Sequence, residues 1–441
     1  MISRAAPLHF IDKLFIGLLL SVFGGIVLHA PLIVSLGTVF PEADLFIKAW
    51  KEVLLAIAAG LFLVIYIREK RPPFFKTPLF IIIAAYIVLH LLLIPVFFSG
   101  IDSTIAGLMI DLRFLAFFVL VYGAAKLYPQ LSRLFLWTFF SGAAVVAGFA
   151  LLQVTVLPDD VLSGIGYSTS TIAPYLTIDQ NTDYVRINST LRGPNPLGAY
   201  AVIVIASCLA YWLKTRRAMN PRRQVGLGAL VFASTIALWA SYSRSAAFAA
   251  IVTIGLVLAV AAGRKYAKYI AIASVAGMLA ATAGLVIFRD SSFVSNVVLH
   301  VNPEGGSETT SNIGHIDSLI DGTQRMAQQP LGAGVGSTGS ASLLSDEPVI
   351  IENQYLLVAH ETGWLGLALF MTLQGMVLWG LWRRHLHWLA LGLGASGVGM
   401  VFIGLLLPVW VDDTVAIIWW GLAAVALAFS AYSNNHKRDM M

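Results

Sequence analysis

The sequence predicts an all-α membrane protein with about twelve transmembrane helices, because apolar runs of spanning length recur along the whole chain. Hydrophobic residues make up 58% of the 441 residues and charged residues only 12%, and the mean hydropathy is +0.81. A soluble globular domain carries roughly 25% charged residues. The bilayer is therefore the main solvent, and we expect one polytopic membrane domain over residues 1–441.

The predicted spans are apolar runs close to the roughly 20 residues that a helix needs to cross a bilayer. They are 14–34, 45–67, 78–98, 104–125, 134–157, 196–213, 225–242, 246–263, 269–288, 354–380, 388–410 and 414–432. The first run has no persuasive small-residue cleavage site, so we expect a retained helix rather than a signal peptide.

Basic residues predict the orientation, because Lys and Arg accumulate in short cytoplasmic loops. With both termini in the cytoplasm, twenty of the 28 basic residues lie on that side. This topology explains the net charge of +5 without a nucleic-acid partner. The basic residues left on the outer side or at membrane depth are Lys48, Lys51, Arg113, Arg186, Arg192, Arg244, Arg289 and Arg325.

Two outer loops, 158–193 and 289–353, are rich in Gly, Ser, Thr and Asn. Loops of this length are usually functional or disordered rather than mere connections. Within the second loop, apolar residues recur at helical spacing over 315–329. This pattern predicts a short amphipathic helix at the membrane surface.

Arg192 stands where the first long loop enters the sixth span, in the segment Arg-Gly-Pro-Asn-Pro-Leu-Gly-Ala-Tyr. Asn195 is suited to cap that helix and Pro196 to its first position. The helix begins outside, so its positive dipole end and the Arg192 guanidinium form a site for an anion such as phosphate. For Arg192 alone, an arginine that snorkels to lipid headgroups is the alternative.

Two further arginines are predicted on the same face. Arg244 lies in the outer turn 241–245 beside the start of the eighth span, and Arg325 precedes the glycine-rich segment 330–336. Glycines there allow the backbone to approach a ligand closely. The convergence of three arginines favours an anion site over isolated loop residues.

The start of the tenth span contains Glu352, His360 and Glu361 in the outer third of a helix. Ionisable side chains at that depth are costly and usually functional. A histidine suits general-base work because it titrates near neutral pH, and either carboxylate is a candidate to orient His360. The alternative is a buried histidine that donates to a carbonyl.

These residues resemble the O-antigen ligase/polymerase superfamily over 192–366, whereas the first five spans are similar only in hydropathy. Asn195, Asn353 and Tyr355 enter as supporting residues of the shared motifs. In many members a histidine precedes this Asn, but the present sequence has Glu352 there. The resemblance rests on the Arg192 motif, the Ser-Arg-Ser-Ala stretch 243–246, the segment 325–336 and the Asn-x-Tyr-Leu…Glu-Thr-Gly segment 353–363.

The resemblance implies a GT-C-like glycosyltransferase of the bacterial inner membrane that takes a glycan from undecaprenyl diphosphate on the periplasmic side. Ligases of the superfamily pass the glycan to a lipid A-core sugar in lipopolysaccharide biosynthesis. Polymerases extend the repeat chain, and other members are O-oligosaccharyltransferases that glycosylate protein hydroxyls. We favour the ligase, because we see no added soluble acceptor-binding domain among the predicted spans.

In the implied mechanism, an acceptor hydroxyl attacks the anomeric carbon and the lipid diphosphate leaves, which inverts the configuration. We hypothesise that His360 takes the proton, with Glu352 as the alternative. Arg192, Arg244 and Arg325 hold the diphosphate and stabilise its developing charge. The lipid diphosphate carries the energy, so we expect neither ATP, a nucleotide sugar nor another cofactor.

A transporter or flippase for an anionic lipid-linked glycan is the competing class, and a lipid-binding scaffold without turnover is a third. A transporter site lies near the membrane midplane, where Asp111 and Arg113 of the fourth span could form a pair. The one-sided arginines and the large outer loops favour the enzyme.

We predict that transfer needs no metal ion, because three arginines can neutralise a diphosphate that many enzymes neutralise with a divalent ion. The outer-loop carboxylates form no convincing ligand set; they are Glu42, Asp44, Asp159 and Asp160. Full activity in excess chelator is the expected result. Activity that is lost in chelator and restored by Mg²⁺ or Mn²⁺ would contradict the prediction.

Overall fold

The computed structural model describes residues 8–178, 181–299 and 311–428. The predicted cytoplasmic ends at 1–7 and 429–441, and parts of the two long loops at 179–180 and 300–310, lie outside the described residues. The described chain is mostly helical. Its helices are α1 (Phe10–Gly25), α2 (His29–Val39), α3 (Asp44–Lys48), α4 (Trp50–Arg68), α5 (Pro78–Leu93), α6 (Ile101–Leu127), α7 (Leu131–Thr155), α8 (Pro194–Thr215), α9 (Pro221–Ala240), α10 (Arg244–Ala262), α11 (Arg264–Ile287), α12 (Ser311–Gln328), α13 (Gly339–Ser342), α14 (Gln354–Trp382), α15 (Trp388–Gly404) and α16 (Asp413–Ala428).

Eight helices in the described ranges are long and apolar enough to cross a membrane. They are α1 and α2 taken together as Phe10–Val39, α4, α6, α7, α8, α9, α10 and α14. The shorter apolar helices α5, α15 and α16 lie on further predicted runs, and α11 covers the run 269–288. The chain is thus a multi-pass membrane protein, as predicted. The exact count of twelve spans and the GT-C-like architecture remain predictions.

Helix α16 lies in the core of the helix assembly. Every residue from Thr414 to Ala428 is buried, and the helix packs against α6, α8, α7, α14 and α15. Such a helix, apolar on all sides, belongs in a core rather than at a surface. At its first turns, Trp419 and Trp420 pack with Trp410 at ring-centroid distances of 5.2 to 5.6 Å. The neighbouring helices are therefore positioned around α16.

The first long loop contains a small β-hairpin, so the prediction of an all-α protein was wrong in this detail. Strands β1 (Leu176–Ile178) and β2 (Asn181–Arg186) pair antiparallel. Immediately after β2, the Ile187 amide donates to the Ala240 carbonyl at the end of α9. The hairpin therefore brings the polar loop to the outer ends of the spans. Its strands are short and lack a long alternating pattern, which left no strand signal in the sequence.

The amphipathic helix predicted over 315–329 is present as α12. Leu319 and Met326 pack against the core, whereas Ile313, Ile316 and Ile320 are exposed. The helix therefore has one apolar side attached to α14 and a second apolar strip facing outward. That outward strip fits the predicted location at a membrane surface, where apolar side chains are buried among lipid headgroups.

Helix α14 is broken at Gly363, which has a φ of +67°. The glycine-rich segment 330–336 runs across the break and pairs with it through backbone hydrogen bonds. These bonds run from Ala333 N to His360 O (2.6 Å), from Gly334 N to Glu361 O (3.1 Å) and from Trp364 N to Pro330 O (2.9 Å). The glycines were predicted to let the backbone approach a ligand; in the structure they let it approach other parts of the protein. Gly332 lies against α14, Gly334 against Phe97 and Gly336 against Ser103 of α6. This pairing satisfies carbonyls that the break releases.

Replacing Gly332 by alanine should lower the stability by roughly 2 kcal/mol or more. Gly332 has a φ of +84°, and an added Cβ would lie 2.6 Å from Gly363 N and 2.7 Å from Glu361 O. Gly228→Ala is the matched control, because nothing lies within 4 Å of its Cβ and alanine favours the helix. Thermal unfolding in detergent should show a lower Tm for Gly332→Ala alone. Equal Tm values would contradict the role of the segment.

Candidate functional site

Arg192 and Asn195 lie at the start of α8, where the predicted site begins. The helix starts two residues earlier than expected: Gly193 is the N-cap and Pro194 the first helical residue. The prediction that Asn195 caps the helix was therefore wrong, since it lies inside the first turn. Its side-chain oxygen instead accepts a hydrogen bond of 2.7 Å from Arg186. The side chain of Arg192 is exposed beside this turn.

Arg186 at the end of β2 joins α8 to the α9–α10 turn. Its Nη2 donates to Asn195 and its Nε donates to the Ser241 carbonyl at 2.9 Å. Burial, together with the nearby charge of Arg244, lowers the pKa of Arg186 to about 10. Two like charges are thus held together at the starts of α8 and α10, an arrangement that favours a bound anion. Sequence analysis assigned Arg186 no role. Its position among the outer basic residues was the one feature of the sequence that could have indicated it.

Arg244 is the first residue of α10, as the sequence predicted for the start of the eighth span. Its Nη1 donates to the Val298 carbonyl at 3.1 Å. This contact connects the arginine to the second long loop. The structure therefore brings Arg192, Asn195 and Arg244 into one region through Arg186 and the two loops.

Arg325 belongs to a second group with His360. On α12, Arg325 Nε lies 2.7 Å from Asp321 Oδ2. The charges of Arg325 and Asp321 are both close enough to act on the His360 ring. Asp321 therefore neutralises part of the Arg325 charge.

His360 is buried, with 2% of its surface exposed. Its ring lies near the backbone of Ser337, and its Nδ1 has no hydrogen-bond partner among the described atoms. Glu361, one of the carboxylates considered as its orienting partner, instead accepts from Gly336 N at 3.1 Å and lies beside Asp111. His360 is thus buried, as in the alternative of a structural histidine, and neither carboxylate is bonded to it in the described contacts. Its catalytic role stays a prediction.

Glu352, the other candidate, contacts a histidine that the sequence analysis did not assign to the site. His315 Nδ1 on α12 lies 2.5 Å from Glu352 Oε2. The hydrogen bond from His315 lowers the pKa of Glu352. Sequence spacing places these residues 37 positions apart on separate elements, which left no local signal for the pair.

Asn353 and Tyr355 hold the start of α14 in place. The Asn353 side-chain oxygen accepts from the backbone amides of Tyr355 and Leu356, which caps the helix. Its Nδ2 donates to the Leu405 carbonyl, and the Tyr355 hydroxyl donates to the side chain of Gln374. These contacts fix the start of α14, and the supporting role of both residues in the site stays a prediction.

Asp111 and Arg113 do not form the pair that the transporter alternative requires. Asp111 lies 3.5 Å from His90 and bonds to Glu361. Arg113 pairs with Asp413 at the start of α16. The two residues thus belong to separate buried clusters.

Asp413 is the centre of a buried ionic network. Its carboxylate contacts Arg113, and its Oδ2 lies 3.1 Å from Lys51 Nζ and 2.8 Å from His29 Nε2. Glu52 adds a second carboxylate 3.2 Å from Lys51. The neighbouring Asp412 is close enough to Arg192 for their charges to interact, which links this network to the exposed arginine. Sequence analysis assigned Lys51 and Asp413 no role.

The possible metal ligands in the described parts of the chain do not gather at one point. There, no group of three or more His, Cys, Asp and Glu side chains could hold an ion. Metal independence remains a prediction.

The fold and these contacts define a multi-pass membrane protein in which basic side chains gather at the starts of membrane helices. Residues 228–371 match the family model of O-Antigen ligase, and this match supports membership of the O-antigen ligase superfamily. It confirms the resemblance found in the sequence. The matched segment contains Arg244, Arg325, Glu352 and His360, whereas Arg192 precedes it. A comparison with curated proteins gives no match.

Replacing Asp413 by asparagine should destabilise the protein by about 3 kcal/mol, the low end of the cost of breaking a buried ion pair. Arg113 and Lys51 lose the nearer of two shared carboxylates and keep Glu52. Asp44→Asn is the matched control: it breaks the solvent-exposed Asp44–Lys48 pair, and such pairs contribute little. Thermal unfolding in detergent should separate the two variants clearly. A Tm for Asp413→Asn equal to that of Asp44→Asn would show that the network is not needed for stability.

Proposed function

We propose that the protein is an inverting, metal-independent glycosyltransferase that moves an O-antigen glycan from undecaprenyl diphosphate to a sugar hydroxyl of lipid A-core. This is the O-antigen ligase reaction of lipopolysaccharide biosynthesis. The family match supports the ligase/polymerase superfamily as a whole. The observation that carries the proposal further is the Arg186 and Arg244 pair, held together at the starts of α8 and α10.

The arginine pair is suited to a diphosphate for three reasons. Two nearby guanidinium groups repel each other, and a bound anion relieves that repulsion. Each lies beside a helix N-terminus, whose backbone amides and dipole favour negative charge. Arginine also binds phosphate oxygens with paired hydrogen bonds. Arg192 adds a third, exposed guanidinium at the same helix start.

In the proposed reaction, the acceptor oxygen forms a bond to the anomeric carbon while the bond to the diphosphate oxygen breaks. The electron pair leaves with the lipid diphosphate, and the arginines stabilise its added charge. The acceptor proton passes to a base, for which His360 and Glu352 are the candidates from the sequence. Arg325 lies close to His360 and adds a positive charge beside this candidate base.

The proposal places the site on the periplasmic face of the bacterial inner membrane, with both termini in the cytoplasm. The starts of α8, α10 and α14 share one side if the chain crosses the bilayer at every predicted span. The two long loops contribute Arg186 and His315 to that same side. Donor and acceptor are both membrane lipids, which suits a site at the ends of membrane helices.

The alternatives differ mainly in the acceptor. An O-antigen polymerase or a protein O-oligosaccharyltransferase of the same superfamily would use the same donor groups. A lipid-linked glycan transporter is less well supported, because Asp111 and Arg113 are each engaged in separate buried clusters. Because both side chains are engaged elsewhere, Asp111 and Arg113 do not form the midplane pair that a transporter would use to bind its anion.

We expect Arg244→Ala to lower kcat by about 10²–10³, the usual cost of removing one preorganised donor from a developing oxyanion. The assay is glycan transfer in proteoliposomes that contain undecaprenyl-diphosphate-linked O-antigen and lipid A-core, in excess chelator. Arg289→Ala is the control, since Arg289 is an exposed outer arginine that pairs with exposed Asp290. It should transfer at the native rate, and His360→Ala tests the predicted base in parallel.

The outcomes separate the candidate functions. Transfer to lipid A-core by the native chain supports the ligase. Lengthening of the lipid-linked glycan identifies a polymerase, and transfer to an added protein acceptor identifies an O-oligosaccharyltransferase. Movement of the donor across the bilayer without transfer would identify a transporter and overturn the enzyme proposal.

A further inference from the structure

Helix α12 and the start of α14 bring an imidazole and a carboxylate together at the edge of the candidate site. His315 Nδ1 lies 2.5 Å from Glu352 Oε2, a charge-assisted hydrogen-bond distance. The side chains are 32% and 41% exposed. A substrate can therefore reach the pair, which is not so for the 2% exposed His360.

The two elements that carry the pair are fixed to each other. The Glu352 amide donates to Ser318 Oγ at 2.9 Å, and Gly322 of α12 packs closely against Leu356 and Ile351. His315, Ser318 and Gly322 are spaced three and four residues apart, so they lie on one face of α12. Preorganised geometry of this kind is what a catalytic pair requires.

We propose that His315 is the general base of the transfer reaction and that Glu352 is its positioning residue. The proposal rests on the glycosyltransfer proposed above. The carboxylate accepts the hydrogen bond from Nδ1 and so leaves the Nε2 lone pair free to take a proton. The acceptor hydroxyl gives its proton to Nε2, its oxygen bonds to the anomeric carbon, and the carbon–oxygen bond to the lipid diphosphate breaks.

Each candidate taken alone is less suited to the step. Glu352 has a lowered pKa because His315 donates to it, and a more acidic carboxyl is a weaker base. The side chain of His360 is buried, and its backbone carbonyl accepts from Ala333 of the segment 330–336. His360 is therefore engaged in holding that segment against α14. The pair combines a titratable imidazole with the charge that orients it.

In the described parts of the chain, ionisable groups beside His315 come from two elements. From the segment before α14, Glu352 contacts the ring. On α12 itself, Asp317 is exposed, and Asp321 pairs with Arg325 further along the helix. Replacing Glu352 by glutamine therefore removes the negative charge that directly contacts the imidazole while keeping a hydrogen-bond acceptor there.

The test compares His315→Ala and Glu352→Gln with Asp317→Asn, an exposed control on the same helix, in the proteoliposome transfer assay. His315→Ala should lower kcat by about 10²–10⁴ with little change in the donor KM, and added imidazole should restore part of the rate. Glu352→Gln should give a smaller loss of kcat, and Glu352→Asp, which keeps the carboxylate, should recover part of that loss. Asp317→Asn should behave as the native protein.

The proposal is overturned if folded His315→Ala transfers at the native rate. It is also overturned if His315→Ala loses activity without imidazole rescue, or if Glu352→Asp is no more active than Glu352→Gln, since a merely structural contact gives those results. Elution and Tm in detergent establish folding. Failure of the proposed function looks different: the native chain itself then transfers no glycan to any of the three acceptor classes.

Discussion

The carboxylate of Asp413 is the interaction on which the arrangement of the site depends. It is shared by Arg113 of α6, Lys51 of α4 and His29 of α2. Charges buried at such depth are tolerated only when they are paired and hydrogen-bonded. The four helix segments therefore have one low-energy arrangement around the start of α16. Because α16 is itself buried on all sides, its position in turn determines the positions of the helices that pack around it.

The residues beside Asp413 connect the ionic network to two parts of the candidate site, the start of α8 and the start of α14. Asp412 is near Arg192 at the start of α8. The Trp410 amide donates to the Gln354 side chain at 2.9 Å, at the start of α14. The loop before α16 thus lies near Arg192 and contacts the start of α14. The ionic network can in this way set the distance between Arg192 and the start of α14.

Sequence patterns predicted the helices well and the contacts poorly. Apolar runs are local and long, so every predicted span coincides with a helix, and helical spacing located α12. The start of α8 was misplaced because two prolines compete for its first turn, and the structure uses Pro194. The sequence analysis did not assign Arg186 and His315 to the candidate site, because each is placed there by a contact with a residue on another element. Periodicity and composition are local properties and do not predict such long-range contacts.

Glu352 stands where the resemblance to the O-antigen ligase/polymerase superfamily leads us to expect a histidine, immediately before the asparagine that caps the helix. Here the capping residue Asn353 is present, and the preceding carboxylate contacts an imidazole from α12. An imidazole therefore still lies at the start of α14, carried by a neighbouring helix. The carboxylate gives a reason for its presence, since a fixed negative charge both attracts and orients an imidazole.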